Sequence, residues 1–259
     1  AALFMAGYIP GIMVGLALMV VCYIWAKIKG YPLSDRLPMK VVAEKLLAAI
    51  PSLFLIVLVI GGIVGGVFTA TEAGAIAVVY SLILSVGVYG EVKTRELPGI
   101  LLKSAETTAI VMLLIAASTA MSWLLSFENI PQTLSAALLE LSDNPIVILL
   151  LINLLLIVVG AFLDMTPAVL IFTPIFLPVA MQLGMSPLQF GIMIVLNLSI
   201  GLCSPPVGAV LFITCAIAKT KLENIIRPLL PLYAAMFVVL MLVTYVAWFS
   251  EALPAALGF

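Results

Sequence analysis

The ten residues GLCSPPVGAV, at positions 201–210, lie inside one of the most apolar parts of the chain. The segments on either side of them read as helices. Two adjacent prolines and two glycines interrupt a helix, because proline lacks an N–H and clashes with the preceding turn, and glycine costs conformational entropy. In a lipid bilayer no water is present to bond the freed backbone groups. Such a break is tolerated there only where it lines a cavity or is buried in protein.

The composition of the whole chain places it among polytopic membrane proteins. Of its 259 residues, 65% are hydrophobic and 9% are charged, whereas soluble domains carry about 25% charged residues. Histidine is absent, and the three cysteines (Cys22, Cys203 and Cys215) fall in apolar segments without CxxC spacing. Neither a zinc site nor a disulfide framework is therefore indicated. The sequence predicts an all-α polytopic membrane protein.

The basic residues predict the orientation of the chain in the membrane. All eleven lysines and arginines fall in three clusters, and the positive-inside rule assigns these to the cytoplasmic side. They lie at 27–45, 93–103 and 219–227. The loops that have no basic residue are predicted to face outward, and they lie around 65–71, 127–144 and 184–188.

Five apolar segments are near the roughly 20 residues that cross a bilayer, and they are 8–26, 46–64, 72–90, 104–126 and 229–250. Residues 145–160 and 168–183 are each short for a span, and GAFLDMTPA joins them without a lysine or arginine. We expect these two segments to form a re-entrant hairpin that enters and leaves by the outer face, with Asp164 near mid-membrane. Two short full spans are the alternative.

The two interrupted segments share one pattern of residues. We expect a helix to end at Gly160 and the next to begin at Thr166–Pro167, and likewise a helix to end at Gly201, in a left-handed turn, and the next to begin at Ser204–Pro205. Carbonyl oxygens at a helix C-terminus coordinate Na⁺, and N–H groups at an N-terminus hold a carboxylate. The matched breaks therefore indicate an ion and substrate site. A pair of proline kinks packed by neighbouring helices is the alternative.

Residues 8–25 and 229–248 share an early proline, an aliphatic middle and an aromatic end, but are predicted to run in opposite directions. Inverted repeats give this relation. The chain then reads as a portion of a longer protein, in which residues 1–28 hold the last helix of a first repeat whose remainder is absent. The other expected parts are a cytoplasmic linker with a scaffold helix pair (29–103), part of a transport domain with hairpin 145–183 and broken helix 189–218 (104–228), and a final transmembrane helix (229–259).

Four motifs carry a resemblance to a known family. GGIVGGVFTATEAGAIAVVYSLIL, AASTAMSWLLSFENIPQ, GAFLDMTPAVLIFTPIFLPVA and LNLSIGLCSPPVGAVLFITCAIAK together resemble the C-terminal half of the large membrane subunit of tripartite ATP-independent periplasmic (TRAP) transporters. The resemblance implies an elevator-type secondary transporter of the bacterial inner membrane. It implies that a Na⁺ gradient drives uptake of carboxylate-bearing organic acids such as C4-dicarboxylates or sialic acids.

The same resemblance implies partners and site residues. The partners are a periplasmic substrate-binding protein, a small membrane subunit, the N-terminal half of the large subunit and membrane lipid; no nucleic acid is expected. Carried onto this chain, the second-repeat Na⁺ site falls around Gly160, Asp164, Thr166, Gly201, Ser204 and Val207. Contacts with the substrate are expected from Thr166, Pro167, Ser204, Pro205 and Pro206.

The sequence offers one further intramembrane carboxylate and leaves two other functions to compare. Glu72 follows Thr69 at capping-box spacing, which favours a helix cap over a ligand. An ion channel and an intramembrane enzyme are the alternative functions. A serine–histidine protease is impossible without histidine, the HExxH of a zinc protease is missing, and no TVGYG-like filter is present. We therefore expect a transporter and no enzymatic activity.

Overall fold

The computed structural model describes residues 2–30, 38–130, 133, 136–137, 144–205, 210–211, 214–215 and 219–258. Within these ranges all regular structure is helical. The helices are α1 (Ala2–Ala6), α2 (Tyr8–Lys29), α3 (Met39–Val64), α4 (Ala70–Leu82, continued by a π-helical stretch, Ile83–Val88), α5 (Leu97–Phe127), α6 (Pro145–Phe162), α7 (Met165–Gln182), α8 (Pro187–Leu202), α9 (Leu222–Tyr245) and α10 (Trp248–Ala256). The predicted all-α class is confirmed.

In the described ranges, seven helical stretches are long and apolar enough to cross a membrane. They are Ala2–Lys29, Met39–Val64, Ala70–Val88, Leu97–Met121, Pro145–Phe162, Met165–Gln182 and Glu223–Tyr245. The chain is therefore a polytopic membrane protein. The helix α8, which corresponds to the first part of the expected broken helix 189–218, is apolar but shorter.

The two helices of the expected hairpin are longer than the sequence indicates. Both α6 and α7 have 18 residues, and only Leu163 and Asp164 separate them. At 1.5 Å per residue each is about 27 Å long, close to the roughly 30 Å of a bilayer core. Their length therefore permits a full span as well as a re-entrant hairpin.

The helices pack into two compact units, Tyr31–Ala109 and the combination of Ala2–Gly30 with Ile110–Phe259, so that the boundary falls within α5. In the first unit α3 lies beside α4. The Tyr80 hydroxyl donates to the Pro51 carbonyl at 2.8 Å, and the Tyr80 ring lies 6.0 Å from that of Phe54. The capping box is confirmed, since Thr69 Oγ1 accepts from Glu72 N–H while Glu72 accepts from Thr69 N–H. Glu72 therefore caps the start of α4 together with Thr69.

The core of the second unit lies between α6, α7, α8 and α9. Its fully buried members include Ile148 and Leu156 of α6, Leu198 of α8 and Leu240 of α9. A smaller cluster joins α2 to this body, where Met13 and Val14 pack among residues of α8 and α9. The interrupted helices therefore share one continuous apolar core.

The last long helix differs from the predicted span at 229–250. It begins earlier, at Leu222, and ends at Tyr245, after which Val246 is extended and the short helix α10 follows. The end of α9 is buried inside the unit. There the Gln189 side-chain amide donates to the carbonyls of Val243 and Thr244, at 3.0 and 2.9 Å. These bonds replace the N–H donors that a continued helix would supply.

The orientation of the helices is tested by labelling single cysteines. Cysteines introduced at positions 97 and 222 are expected to react with a membrane-impermeant maleimide only from the cytoplasmic side, because basic clusters lie beside them. Cysteines at positions 137 and 186 are expected to react only from outside. The same positions in inverted membrane vesicles serve as the control. Labelling of position 137 from the cytoplasmic side would overturn the predicted topology.

Candidate functional site

The two break-point glycines lie against each other, backbone to backbone. A Cβ placed on Gly201 would stand 2.7 Å from Gly160 Cα and 2.9 Å from the Ile157 carbonyl oxygen. A Cβ on Gly160 would stand 3.1 Å from Gly201 Cα and from the Leu198 carbonyl oxygen. Both glycines are buried. The last turns of α6 and α8 therefore meet at a distance that only glycine allows.

The expectation of a left-handed turn at Gly201 is wrong, and so are the predicted helix ends. Gly201 is not among the residues with positive φ, and it lies inside α8, which ends at Leu202. Gly160 lies inside α6, which ends at Phe162. Each helix continues past its glycine. The glycine therefore does not end the helix, and it allows the close packing of the two helices.

The end of α6 leaves carbonyl groups without helical donors. The Leu163 N–H donates to the Val159 carbonyl at 2.8 Å and makes the last bond of the helix. The carbonyls from Gly160 to Phe162 have no following helical N–H, as at any helix C-terminus. These oxygens carry the partial negative charge of the helix end, which favours a cation.

The start of α7 differs from the prediction that Thr166 is its N-cap. The helix begins at Met165, and Asp164 is the N-cap, whose Oδ1 accepts from the Met165 N–H at 2.9 Å. Asp is as good a capping residue as threonine and precedes it in the chain, so α7 starts two residues before Pro167. Asp164 and Thr166 are exposed, and Pro167 is half-buried.

At the end of α8 the carbonyl oxygens have donors within the protein. The Ser204 N–H donates to the Gly201 carbonyl at 2.8 Å, and the Ser204 hydroxyl donates to the Ile200 carbonyl at 2.8 Å. The Tyr233 hydroxyl of α9 donates to the carbonyl of Cys203. The Ser204 side chain therefore closes α8. The start of the helix that is predicted to follow at Ser204–Pro205 falls mostly outside the described residues. Each carbonyl keeps a second lone pair.

The structure brings part of the predicted site together. Gly160 and Gly201 are in contact, and Met165, next to Asp164, has its sulfur 3.6 Å from the Ser199 hydroxyl in the last turns of α8. The start of α7 thus lies beside the end of α8. Pro205 is half-buried just after that end. Pro206 and Val207, two further predicted site residues, lie outside the described residues.

Sequence analysis missed a set of buried amides on the two helices that carry the glycines. Asn153 of α6 and Asn197 of α8 are both fully buried, and Asn197 Nδ2 donates to Asn153 Oδ1 at 2.7 Å. Gln189, on the first turn of α8, is 5% exposed. The available signal was a single asparagine at the centre of each apolar run, LLINLLL and IVLNLSI, since a polar residue inside a membrane segment is costly unless it is bonded.

Comparison with known proteins gives a family. The family described as "Tripartite ATP-independent periplasmic transporter, DctM component" matches residues 1–249. "Uncharacterized protein YgiK" of Salmonella typhimurium is 48% identical over 98% of this chain and 58% of its own length.

Two further relatives have names that state a substrate. The "C4-dicarboxylate TRAP transporter large permease protein DctM" of Pseudomonas aeruginosa is 40% identical over 99% of this chain and 60% of its own length. The "Sialic acid TRAP transporter large permease protein SiaM" of Vibrio cholerae is 38% identical over 98% of this chain and 59% of its own length.

The chain spans about three fifths of the length of these relatives. The family match covers nearly the whole chain and its helices suffice for a multi-pass inner-membrane protein. The chain therefore belongs to the DctM family of TRAP transporter large permease proteins, which are membrane permeases and not enzymes.

Proposed function

We propose that this chain forms the second half of the ion and substrate site of a Na⁺-driven secondary transporter that imports carboxylate-bearing organic acids. The observation that carries the proposal is the meeting of two helix ends inside one core, with Gly160 against Gly201. Two C-terminal ends side by side concentrate partial negative charge. A bound cation would offset that charge. Ordinary proline kinks would not bring two negative helix ends together and would need no cation.

The proposed Na⁺ ligands are oxygens around this contact. The carbonyls of the last turn of α6, beginning at Gly160, have no helical donors, and those near Gly201 keep a second lone pair. The carboxylate of Asp164 and the hydroxyls of Thr166 and Ser204 supply further oxygens at the two breaks. Val207, beyond the described residues, is proposed from the resemblance alone.

The charge of Asp164 bears on where the substrate carboxylate binds. An acidic cap already neutralises the positive end of α7, so a second carboxylate is disfavoured there. We place the substrate carboxylate at the second break, against Ser204, Pro205 and Pro206. Thr166 and Pro167 are then proposed to contact an uncharged part of the substrate.

The proposal extends to the arrangement and partners of the whole transporter. The hairpin of α6 and α7 is proposed to be re-entrant, with Asp164 near mid-membrane, and the site to move across the membrane by an elevator mechanism against a scaffold that includes α3 and α4. The N-terminal half of the large subunit supplies the first-repeat half of the site. A periplasmic binding protein delivers the substrate, and a small membrane subunit braces the scaffold.

Uptake by proteoliposomes tests the driving ion and the substrate class. The complete permease with its small subunit and binding protein is expected to accumulate a labelled organic acid only when an inward Na⁺ gradient is imposed. A K⁺ gradient at the same membrane potential is the control for the ion. A size-matched neutral amide is the control for the carboxylate and is expected not to compete. Accumulation that is unchanged without Na⁺ would reject the proposed driving ion.

A further inference from the structure

A chain of buried polar groups joins three helices of the second unit. Asn153 of α6 and Asn197 of α8 are fully buried, and Thr244 of α9 is 1% exposed. Asn197 Nδ2 donates to the side-chain and main-chain oxygens of Asn153, at 2.7 and 3.0 Å. Asn153 Nδ2 donates to the Leu149 carbonyl at 2.8 Å and to Thr244 Oγ1 at 3.3 Å. The packing around these groups is apolar, so they have few other partners.

We infer that the Asn153–Asn197 pair is a positioning element that fixes the register of α6 against α8. A slip of one helical turn moves a partner by about 5.4 Å, beyond hydrogen-bond reach, and leaves two buried amides without their bond. Two leucines at these positions would pack in several registers, because apolar contact has no direction. A buried polar residue at a helix interface selects one register in this way.

The pair lies on the same helix contact as the two glycines. Asn197 precedes Gly201 by one turn on α8, and Asn153 precedes Gly160 by two turns on α6. The glycine contact tolerates no side chain, since a would-be Cβ on Gly201 lies 2.7 Å from Gly160 Cα. A slip of one helical turn, about 5.4 Å, would put a residue with a side chain at this contact. The amides therefore determine whether the two carbonyl ends meet.

One atom of the pair shows that stability alone does not explain it. Asn197 Oδ1 is buried and has no hydrogen-bond partner among the described residues. An unbonded buried acceptor destabilises the fold, and an apolar side chain of similar size would avoid that loss. An asparagine at this position is thus unfavourable unless the direction of its Nδ2 bonds matters.

The register is measured by the distance between spin labels on the two helices of the complete permease. Labels at Leu155 of α6 and Val195 of α8, both exposed, with native cysteines replaced by alanine, are expected to give one narrow distance distribution. Asn197→Leu is expected to broaden it or to add a second distance. The control is Thr173→Val, which removes a buried hydroxyl of α7 that has no partner among the described residues, and the distribution should stay narrow.

The inference rests on the proposed function only where it concerns Na⁺. Asn197→Leu is expected to raise the Na⁺ concentration for half-maximal uptake by about tenfold, whereas loss of folded protein lowers only the maximal rate. The double variant with Asn153→Leu is expected to be no worse than Asn153→Leu alone, because that single variant already breaks the pair as well as the bond to Thr244. If the parent shows no Na⁺ dependence, the proposed function fails, and the label distance still decides the register.

An unchanged narrow distance in Asn197→Leu overturns the inference. Where this variant does not insert, Asn197→Ser is measured in the same way, since its hydroxyl can bond the carbonyl of Met193 one turn back and leaves no unpaired donor. A narrow distance in that variant overturns the inference equally. A broadened distance that the Thr173→Val control does not show supports it.

Discussion

Gly201→Val is expected to abolish Na⁺-driven uptake while leaving the protein in the membrane. The first added atom already lies 2.7 Å from Gly160 Cα and 2.8 Å from the Gly160 carbonyl carbon, so α8 must move away from α6. Both neighbours are backbone and cannot rotate aside. Overpacking of this kind costs about 1–3 kcal/mol of stability, and we expect the protein still to insert. The separation of the two carbonyl ends is then expected to remove the proposed cation site.

Two further variants grade the effect of Gly201→Val. Gly201→Ala adds only the Cβ and is expected to reduce the initial uptake rate strongly, with less displacement of α8. Gly15→Val, on α2 of the same unit, meets no atom within 4 Å and should transport as the parent does. The measurement is the initial rate against external Na⁺ at fixed membrane potential, beside the amount of inserted protein. A Gly201→Val protein with the parent's Na⁺ curve would show that the break is only a kink.

The residues at the breaks show how far the sequence could predict this site. The pairing of Gly160 with Gly201 followed from the repeated pattern of glycine, hydroxyl residue and proline, and the structure places the two in contact. The reason for the pairing did not follow. A glycine near a helix end reads as a terminator, and only the packing of α6 on α8 shows that it serves close approach.

The start of α7 was mispredicted for a related reason. Threonine before proline is a good cap signal, but Asp164 caps as well and stands earlier in the chain. The local sequence does not show which of two suitable capping residues will begin the helix. The C-terminal end of α9 could not be predicted from the sequence, because it depends on the amide of Gln189, which is 54 residues away from the Val243 carbonyl that it bonds.

Asp164→Asn is expected to raise the Na⁺ concentration for half-maximal uptake by about tenfold or more. Asparagine caps a helix as well as aspartate, so the bond to the Met165 N–H and the start of α7 are kept. Only the negative charge is lost. A carboxylate about 4 Å from a cation near a protein surface contributes up to about 4 kcal/mol, and tenfold in affinity corresponds to about 1.4 kcal/mol. The expected change is thus well within what one charge supplies.

Comparison with a second variant, Asp164→Ala, separates the effect of the charge from that of the helix cap. Asp164→Ala removes both, so its Na⁺ curve should shift as in Asp164→Asn. Its melting temperature should fall further, since loss of a cap costs about 1 kcal/mol. Melting in detergent with Na⁺ and with K⁺ gives a readout that does not depend on transport: at one Na⁺ concentration, Na⁺ should stabilise the parent more than either variant. If Asp164→Asn keeps the parent's Na⁺ curve and only Asp164→Ala melts earlier, Asp164 is a helix cap and nothing more, and the cation must be held by carbonyl and hydroxyl oxygens alone.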